Sequence, residues 1–293
     1  MRPSAAIEQL AIIGVGLIGG SLARALRNAG VVKTIVGGGR SEASLARARE
    51  LGVIDRYELD LAAAVSGADM VVVGVPLGAM RSVFEAIAPG LRDDAIVTDV
   101  GSAKGSVVED ARAVFGEWPN FVPGHPIAGT ERSGVEASFS ELFQRRRVIL
   151  TPLPETATAA LQRVRWLWQA TGAEVVEMSA AHHDEVLAAT SHLPHLLAYG
   201  LVESLSRWDS SQEIFQFAAG GFRDFTRIAS SDPVMWRDIC LANREALSAA
   251  LDRYTEDLAR LAALVRSGDG QALEQVFQHA KQARDRFVAM LEP

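Results

Sequence analysis

The stretch Leu10-Ala-Ile-Ile-Gly-Val-Gly-Leu-Ile-Gly-Gly-Ser-Leu-Ala23 decides the fold of this 293-residue chain. Leu10–Ile13 reads as a buried strand. Gly14, Gly16 and Gly19 follow at G-x-G-x-x-G spacing, before a helical pattern from Gly20 to Asn28 that Gly30 closes. The first glycine makes a tight turn, the second lets a pyrophosphate approach the backbone, and the third lets helix pack on strand. Unpaired helix amides, with Leu17 and Ile18 in the first turn, then hold the anion. Glycine-rich turns match this spacing by chance. Between a strand and a helix it predicts a dinucleotide site.

Outward from that loop, short runs rich in Val and Ile alternate with helical stretches up to residue 178. Strands are expected at Thr34–Val36, Met70–Val75, Ile96–Asp99, Phe121–Val122, Val148–Leu150 and Val175–Glu177. Strand–helix alternation predicts an α/β, Rossmann-type doubly wound parallel sheet over residues 1–178. After about Ser179 no strand-like run recurs, so residues 179–293 are expected to form an all-α domain. There, Asp232–Pro233 opens a helical pattern that runs without Gly or Pro from Val234 to Ser267. A single helix of that length would span roughly 50 Å, so part of it should pack against another subunit. A last helix is expected from Gln271 to Leu291.

Composition excludes several classes. Apolar residues make up 48% and charged residues 22%, which is globular rather than disordered. A net charge of −7 gives no global positive field to capture nucleic acid. Cys240 is the single cysteine, so an intrachain disulfide or a cysteine metal cluster is impossible, which suits a reducing cytoplasm. The apolar N-terminal run is broken by four glycines and is too short to span a membrane, so neither a membrane segment nor a targeting segment is expected.

The second strand ends Val36-Gly-Gly-Gly-Arg40-Ser41, with no acid at its tip to bond a ribose 2′-hydroxyl. Arg40 and Ser41 instead offer a cation and a hydroxyl to a 2′-phosphate, which favours NADP over NAD. The competing reading makes Arg40 a solvated helix-start residue and Glu42 a displaced ribose anchor. Val75 and Pro76, after the next strand, complete the expected cofactor contacts.

Four further segments stand out: Asp99-Val-Gly-Ser102-Ala-Lys104-Gly105; Gly124-His125-Pro126-Ile-Ala-Gly129-Thr130-Glu131; Ser191-His192-Leu-Pro194-His195; and Gly220-Gly-Phe-Arg223-Asp224-Phe-Thr-Arg227, continuing to Trp236. In this order they closely resemble the prephenate/arogenate dehydrogenase family of tyrosine biosynthesis, from about Leu10 to Phe287. The resemblance implies oxidative decarboxylation of a cyclohexadienol to a phenol with NAD or NADP, in an enzyme that dimerises through its helical domain. It places the family's histidine on His125, its serine on Ser102 and its substrate-binding arginine on Arg227. His195 falls where the substrate side chain is faced, and Thr130, Glu131 and Trp236 fall near the site mouth. Arg223 is a second candidate for the substrate, with a surface role equally open. Core packing is equally open for Trp236.

The chemistry supplies a reason for these residue types. Hydride leaves the carbinol carbon as its hydroxyl becomes a carbonyl, and a neutral imidazole can accept the hydroxyl proton near neutral pH. Loss of the ring carboxylate and aromatisation then drive the reaction without a metal. Because the protein is acidic and its field is screened within about 8 Å, placed arginines must attract the anionic substrate. Ser102 is expected to bond the hydroxyl or to orient His125, and Lys104 to play a supporting part. His192 reads as a structural hydrogen-bonder at a helix bend, and His182 and His183 read as solvated. No metal site is expected from His192 and His195, since Pro194 intervenes and no third ligand follows. With Pro293 as the last residue, no fused chorismate mutase or regulatory domain is expected, and tyrosine feedback, if present, is expected to act at the active site. Two other readings stay open: a β-hydroxyacid dehydrogenase or imine reductase, whose usual second-domain lysine has no counterpart here, and a non-enzymatic dinucleotide sensor.

Overall fold

The computed structural model describes residues 6–291. Six parallel strands form the main sheet: β1 (Ile7–Ile13), β2 (Val32–Gly38), β3 (Arg56–Glu58), β4 (Met70–Val73), β5 (Ile96–Asp99) and β6 (Phe121–Val122). Their spatial order is β3-β2-β1-β4-β5-β6. Chain direction across the sheet reverses between β1 and β4, the point beyond whose carboxyl ends such sheets bind ligands. Ile12 and Val72 face one apolar core with Leu22, Leu26 and Trp168, while Ile13 and Val73 face another with Phe84 and Ile87. A sheet buried on both faces explains the unbroken Val/Ile runs of β1 and β4.

The strands at 148–150 and 175–177 do not join this sheet. With Gly124–Pro126 (β7) they form a separate three-stranded sheet, β7-β8-β9, in which β8 (Arg147–Leu150) pairs antiparallel with β7 and parallel with β9 (Glu174–Glu177). His125 therefore lies on a short strand, between its Gly and Pro neighbours. Its backbone is paired opposite Ile149.

Past β9 the chain is helical. The expected helix from 233 to 267 is broken into Pro233–Ala242 and Arg244–Ser267. Asn243 interrupts it because its amide turns inward, donating to the Asp184 carbonyl (2.8 Å) and meeting His192 Nδ1 (3.1 Å). By contact density the chain forms two compact units, one ending at Arg244 and one beginning at Glu245. The second comprises most of the Arg244–Ser267 helix and the helix Gly270–Leu291. Among the described residues no helix is long and apolar enough to cross a membrane.

Candidate active site

Beyond the carboxyl ends of the parallel strands, four segments converge. After β1, Gly14 adopts φ +91°, and a Cβ there would sit 2.4 Å from the Gly74 carbonyl oxygen. A Cβ on Gly19 would meet the Gly14 carbonyl oxygen at 2.5 Å, whereas one on Gly16 would meet nothing. The two outer glycines are thus required by the protein's own packing. The middle one leaves the backbone open for a ligand. Gly16 is also the N-cap of the helix Leu17–Asn28 and has no side-chain cap, so the amides of its first turn remain available to an anion. This cradle fits a dinucleotide pyrophosphate. Val75 is half-buried and Pro76 exposed, directly after β4. At the tip of β2, Arg40 is exposed, while Ser41 caps the helix Glu42–Glu50 by accepting the Ser44 N–H at 3.3 Å.

The third segment is built on a buried ion pair. Asp99, at the end of β5, accepts the amides of Gly101 (2.7 Å) and Gly124 (3.1 Å) and pairs with Lys104. Lys104 Nζ also donates to the Gly124 carbonyl at 2.7 Å. Both side chains are wholly buried. Burial lowers the lysine's pKa, and the Asp99 charge opposes that shift. Gly124, the residue before His125, is consequently held at both its N–H and its C=O.

His125 itself is only 9% exposed. Burial, followed by the neighbouring His183 and Lys104, holds its pKa well below 6.5, so the ring is neutral near neutral pH. Its Nδ1 lies 2.8 Å from His183 Nε2, and His183 Nδ1 lies 2.7 Å from Asp184 Oδ1. The expectation that His183 is solvated is wrong: it is 0% exposed. Ser179 caps the helix Ala180–Leu187 by accepting the His182 N–H, which puts His183 and Leu187 on the buried face and leaves His182 outside. Ser102 is half-buried and makes no side-chain hydrogen bond among the described residues. The side chain that Nδ1 of His125 meets is His183.

The fourth segment carries the remaining candidates. Ala188–His192 forms a π-turn between helices, and His192 is buried there, its pKa pushed down to about 4 chiefly by burial. Three residues on, His195 stacks on Trp236 with ring centroids 3.6 Å apart and an interplanar angle of 18°. Trp236 is buried, and its Nε1 finds no acceptor among the described residues. Arg227 pairs with Glu131 at 3.3 Å, both side chains exposed. Thr130 is exposed and accepts the Arg132 N–H at 3.2 Å. Arg223 points into solvent beside Asp224 at 3.8 Å.

The sequence model of the prephenate dehydrogenase nucleotide-binding domain matches residues 22–177, and that of the prephenate dehydrogenase dimerization domain matches residues 179–279. The chain belongs to the prephenate dehydrogenase family. Within that family, cyclohexadienyl dehydrogenase of Zymomonas mobilis is 42% identical over 281 residues, covering 94% of this chain and 95% of its own. Prephenate dehydrogenase of Aquifex aeolicus, solved with hydroxyphenyl propionate and NAD+, superposes with a TM-score of 0.91 at 37% identity, covering 97% of this chain and 99% of its own. Synechocystis arogenate dehydrogenase gives a TM-score of 0.80 at 28% identity, covering 95% and 99%. Membership of the prephenate dehydrogenase family sets aside the hydroxyacid-dehydrogenase reading.

Proposed function

We propose that this protein oxidises prephenate, arogenate or both with loss of the ring carboxylate, giving 4-hydroxyphenylpyruvate or tyrosine. The observation that carries the reading is a buried, neutral His125 on the strand after β6, its preceding residue held to the carboxyl end of β5 by Asp99 and Lys104. Residues 1–178 hold the cofactor, and residues 179–293 supply substrate contacts and the homodimer interface.

In this reading Gly14, Gly16, Leu17, Ile18 and Gly19 bind the pyrophosphate, with Val75 and Pro76 beside them. The bound nicotinamide supplies the hydride acceptor. His125 takes the proton of the substrate hydroxyl, and Ser102 bonds the same hydroxyl. Arg227 exchanges Glu131 for the ring carboxylate. Exposed ion pairs are worth only about 0–1 kcal/mol, so that exchange is cheap. His195, stacked on Trp236, meets the substrate side chain, and the histidine suits the pyruvyl group of prephenate. The unpartnered Trp236 N–H supports a wall that meets a polar ligand rather than plain core packing. Thr130 and Glu131 form the rim. Arg223, turned to solvent, is the weakest member of the set.

Arg40 supports NADP over NAD, since it is exposed at the tip of β2 and no ion pair engages it among the described residues. Ser41 supports it less, because its hydroxyl already caps a helix. Reduced-cofactor absorbance, followed with prephenate and arogenate separately and with each cofactor, tests the whole reading. Turnover with neither substrate would overturn it, and a strong preference for NAD would overturn the cofactor assignment alone. His125→Asn is expected to lower kcat roughly 10²–10⁴-fold with little change in KM.

A further inference from the structure

The hydrogen bonds around Asp184 have a direction, and it propagates to His125. Asp184 Oδ1 accepts the Lys104 backbone N–H and Oδ2 accepts the Gly105 backbone N–H, each at 2.8 Å. Gly105 begins the helix Gly105–Phe115, so the carboxylate sits at its positive end. Burial pushes the Asp184 carboxyl upward, but the bonds from His183 and from these two amides outweigh it and hold its pKa below the ordinary carboxylate value. Both oxygens are therefore acceptors. The third neighbour, His183 Nδ1, must carry a proton to lie 2.7 Å from Oδ1.

Burial also lowers the His183 pKa, so that ring is neutral and has a single N–H. With its proton on Nδ1, its Nε2 is a lone pair. That lone pair lies 2.8 Å from His125 Nδ1, which must then be the donor. His125 is neutral too, so its own Nε2 is left bare. The remaining charged or titratable neighbours of this pair, the Asp99–Lys104 ion pair and His192, are buried. Asn243 also braces the Asp184 backbone carbonyl (2.8 Å).

We propose that His183 and Asp184 are positioning residues that fix His125 as its Nδ1–H tautomer, so that Nε2 is the nitrogen that receives the substrate proton. This rests on the reading of His125 as the base. In the step, the hydroxyl O–H bond breaks as an N–H bond forms at His125 Nε2. The O–H electron pair becomes the second bond of the carbonyl, and hydride leaves the same carbon for the nicotinamide. His125 becomes an imidazolium that still donates through Nδ1 to His183, and the Asp184 charge behind His183 stabilises it. No proton needs to travel further along the chain of residues. A carboxylate–histidine pair that selects a tautomer in this way acts through orientation and charge.

The test combines ¹⁵N-histidine spectra of the full chain at neutral pH with kinetics of His183→Ala and His183→Gln. His125→Asn assigns the His125 resonances. The wild-type spectrum should show His125 protonated at Nδ1, and His183→Ala should lose that pattern. In His183→Ala, kcat should fall roughly 10- to 100-fold, by analogy with the loss of hydrogen-bond partners that orient metal-bound histidines, with KM within about twofold. His183→Gln, whose side-chain oxygen can accept from Nδ1–H, should recover part of the loss. A wild-type His125 protonated at Nε2 would overturn the proposal, as would a folded His183→Ala with unchanged kcat or with a change confined to KM. If His183→Ala does not fold, the wild-type spectrum and His183→Gln still decide. The tautomer is read without turnover. Full activity in His125→Asn would therefore refute the base assignment while leaving the tautomer result to stand or fall separately.

Discussion

At the scale of single residues, pH separates the groups proposed to act. Burial first, then the electrostatic influence of His183, Lys104 and His192, keeps the His125 pKa well below 6.5. A base must be unprotonated, so activity is lost only as pH falls through that depressed value. The profile of kcat/KM should stay flat as pH drops from neutral past 6.5, with its acid limb lower still. An acid limb at 6.5 or above would contradict the burial seen here. Arg227→Gln should raise KM at least tenfold while leaving kcat largely intact, because the ring carboxylate is held in ground and transition states alike. A fall in kcat at constant KM would give Arg227 a different role. The residues proposed to act could be singled out in sequence because their motifs are local: His125, Arg227, His195 and Trp236 all stand in short, unusual segments. His183 was not. An adjacent His-His pair shows no face until Ser179 fixes the phase of its helix, and its partner His125 is 58 positions away.

At the scale of elements, the buried Asp99–Lys104 pair is the support on which β7 and the turn after β5 are assembled. Lys104→Met would remove the buried partner of Asp99. Breaking such a pair costs on the order of 3–5 kcal/mol, and urea unfolding should show a loss of that size. A loss under about 1 kcal/mol would mean that the amides of Gly101 and Gly124 suffice. Asp232→Ala should cost about 1 kcal/mol by removing the cap that accepts the Met235 N–H at 2.8 Å, read in the same urea titration. Strands and helices with a continuous local signal were readable, β5 and β6 to the residue. β3 (Arg-Tyr-Glu) and β7 (Gly-His-Pro) were not, because neither carries the Val/Ile or aromatic pair that marks a buried strand. The break at Asn243 also escaped. Its cause is a tertiary hydrogen bond to Asp184, and asparagine inside a helical pattern gives no warning of it.

At the scale of the molecule, four depressed histidines couple stability to acidity. His125, His183, His192 and His195 have pKa values lowered in the folded state, His192 to about 4. The unfolded chain takes up protons on these rings near 6.5, while the folded protein resists until lower pH. Their contribution is therefore complete above about 6.5 and declines as pH falls toward about 4. Calorimetric Tm should drop across that window, and a flat Tm would contradict the burial of these rings. In the unit from Glu245 onward, Leu258, Val265, Phe277, Phe287 and Met290 are exposed on two helices. Exposed apolar side chains in a stretch that overlaps the matched dimerization domain support an association face, and sedimentation should give twice the mass of the chain. A monomer at micromolar concentration would overturn the homodimer.

The double grip on Gly124 bears on how this scaffold can be altered. The backbone ahead of His125 is anchored from behind by Asp99 and Lys104, and its ring from the side by His183. Arg227, His195 and Trp236 share none of those bonds. Trp236 is nonetheless tied to the same scaffold, because Asn243 at the end of its helix donates to the Asp184 carbonyl and meets His192, so substitutions that reach this asparagine should couple to those around His125. An engineer seeking a new side-chain preference would therefore vary the exposed Arg227 and the His195 ring and spare Asn243.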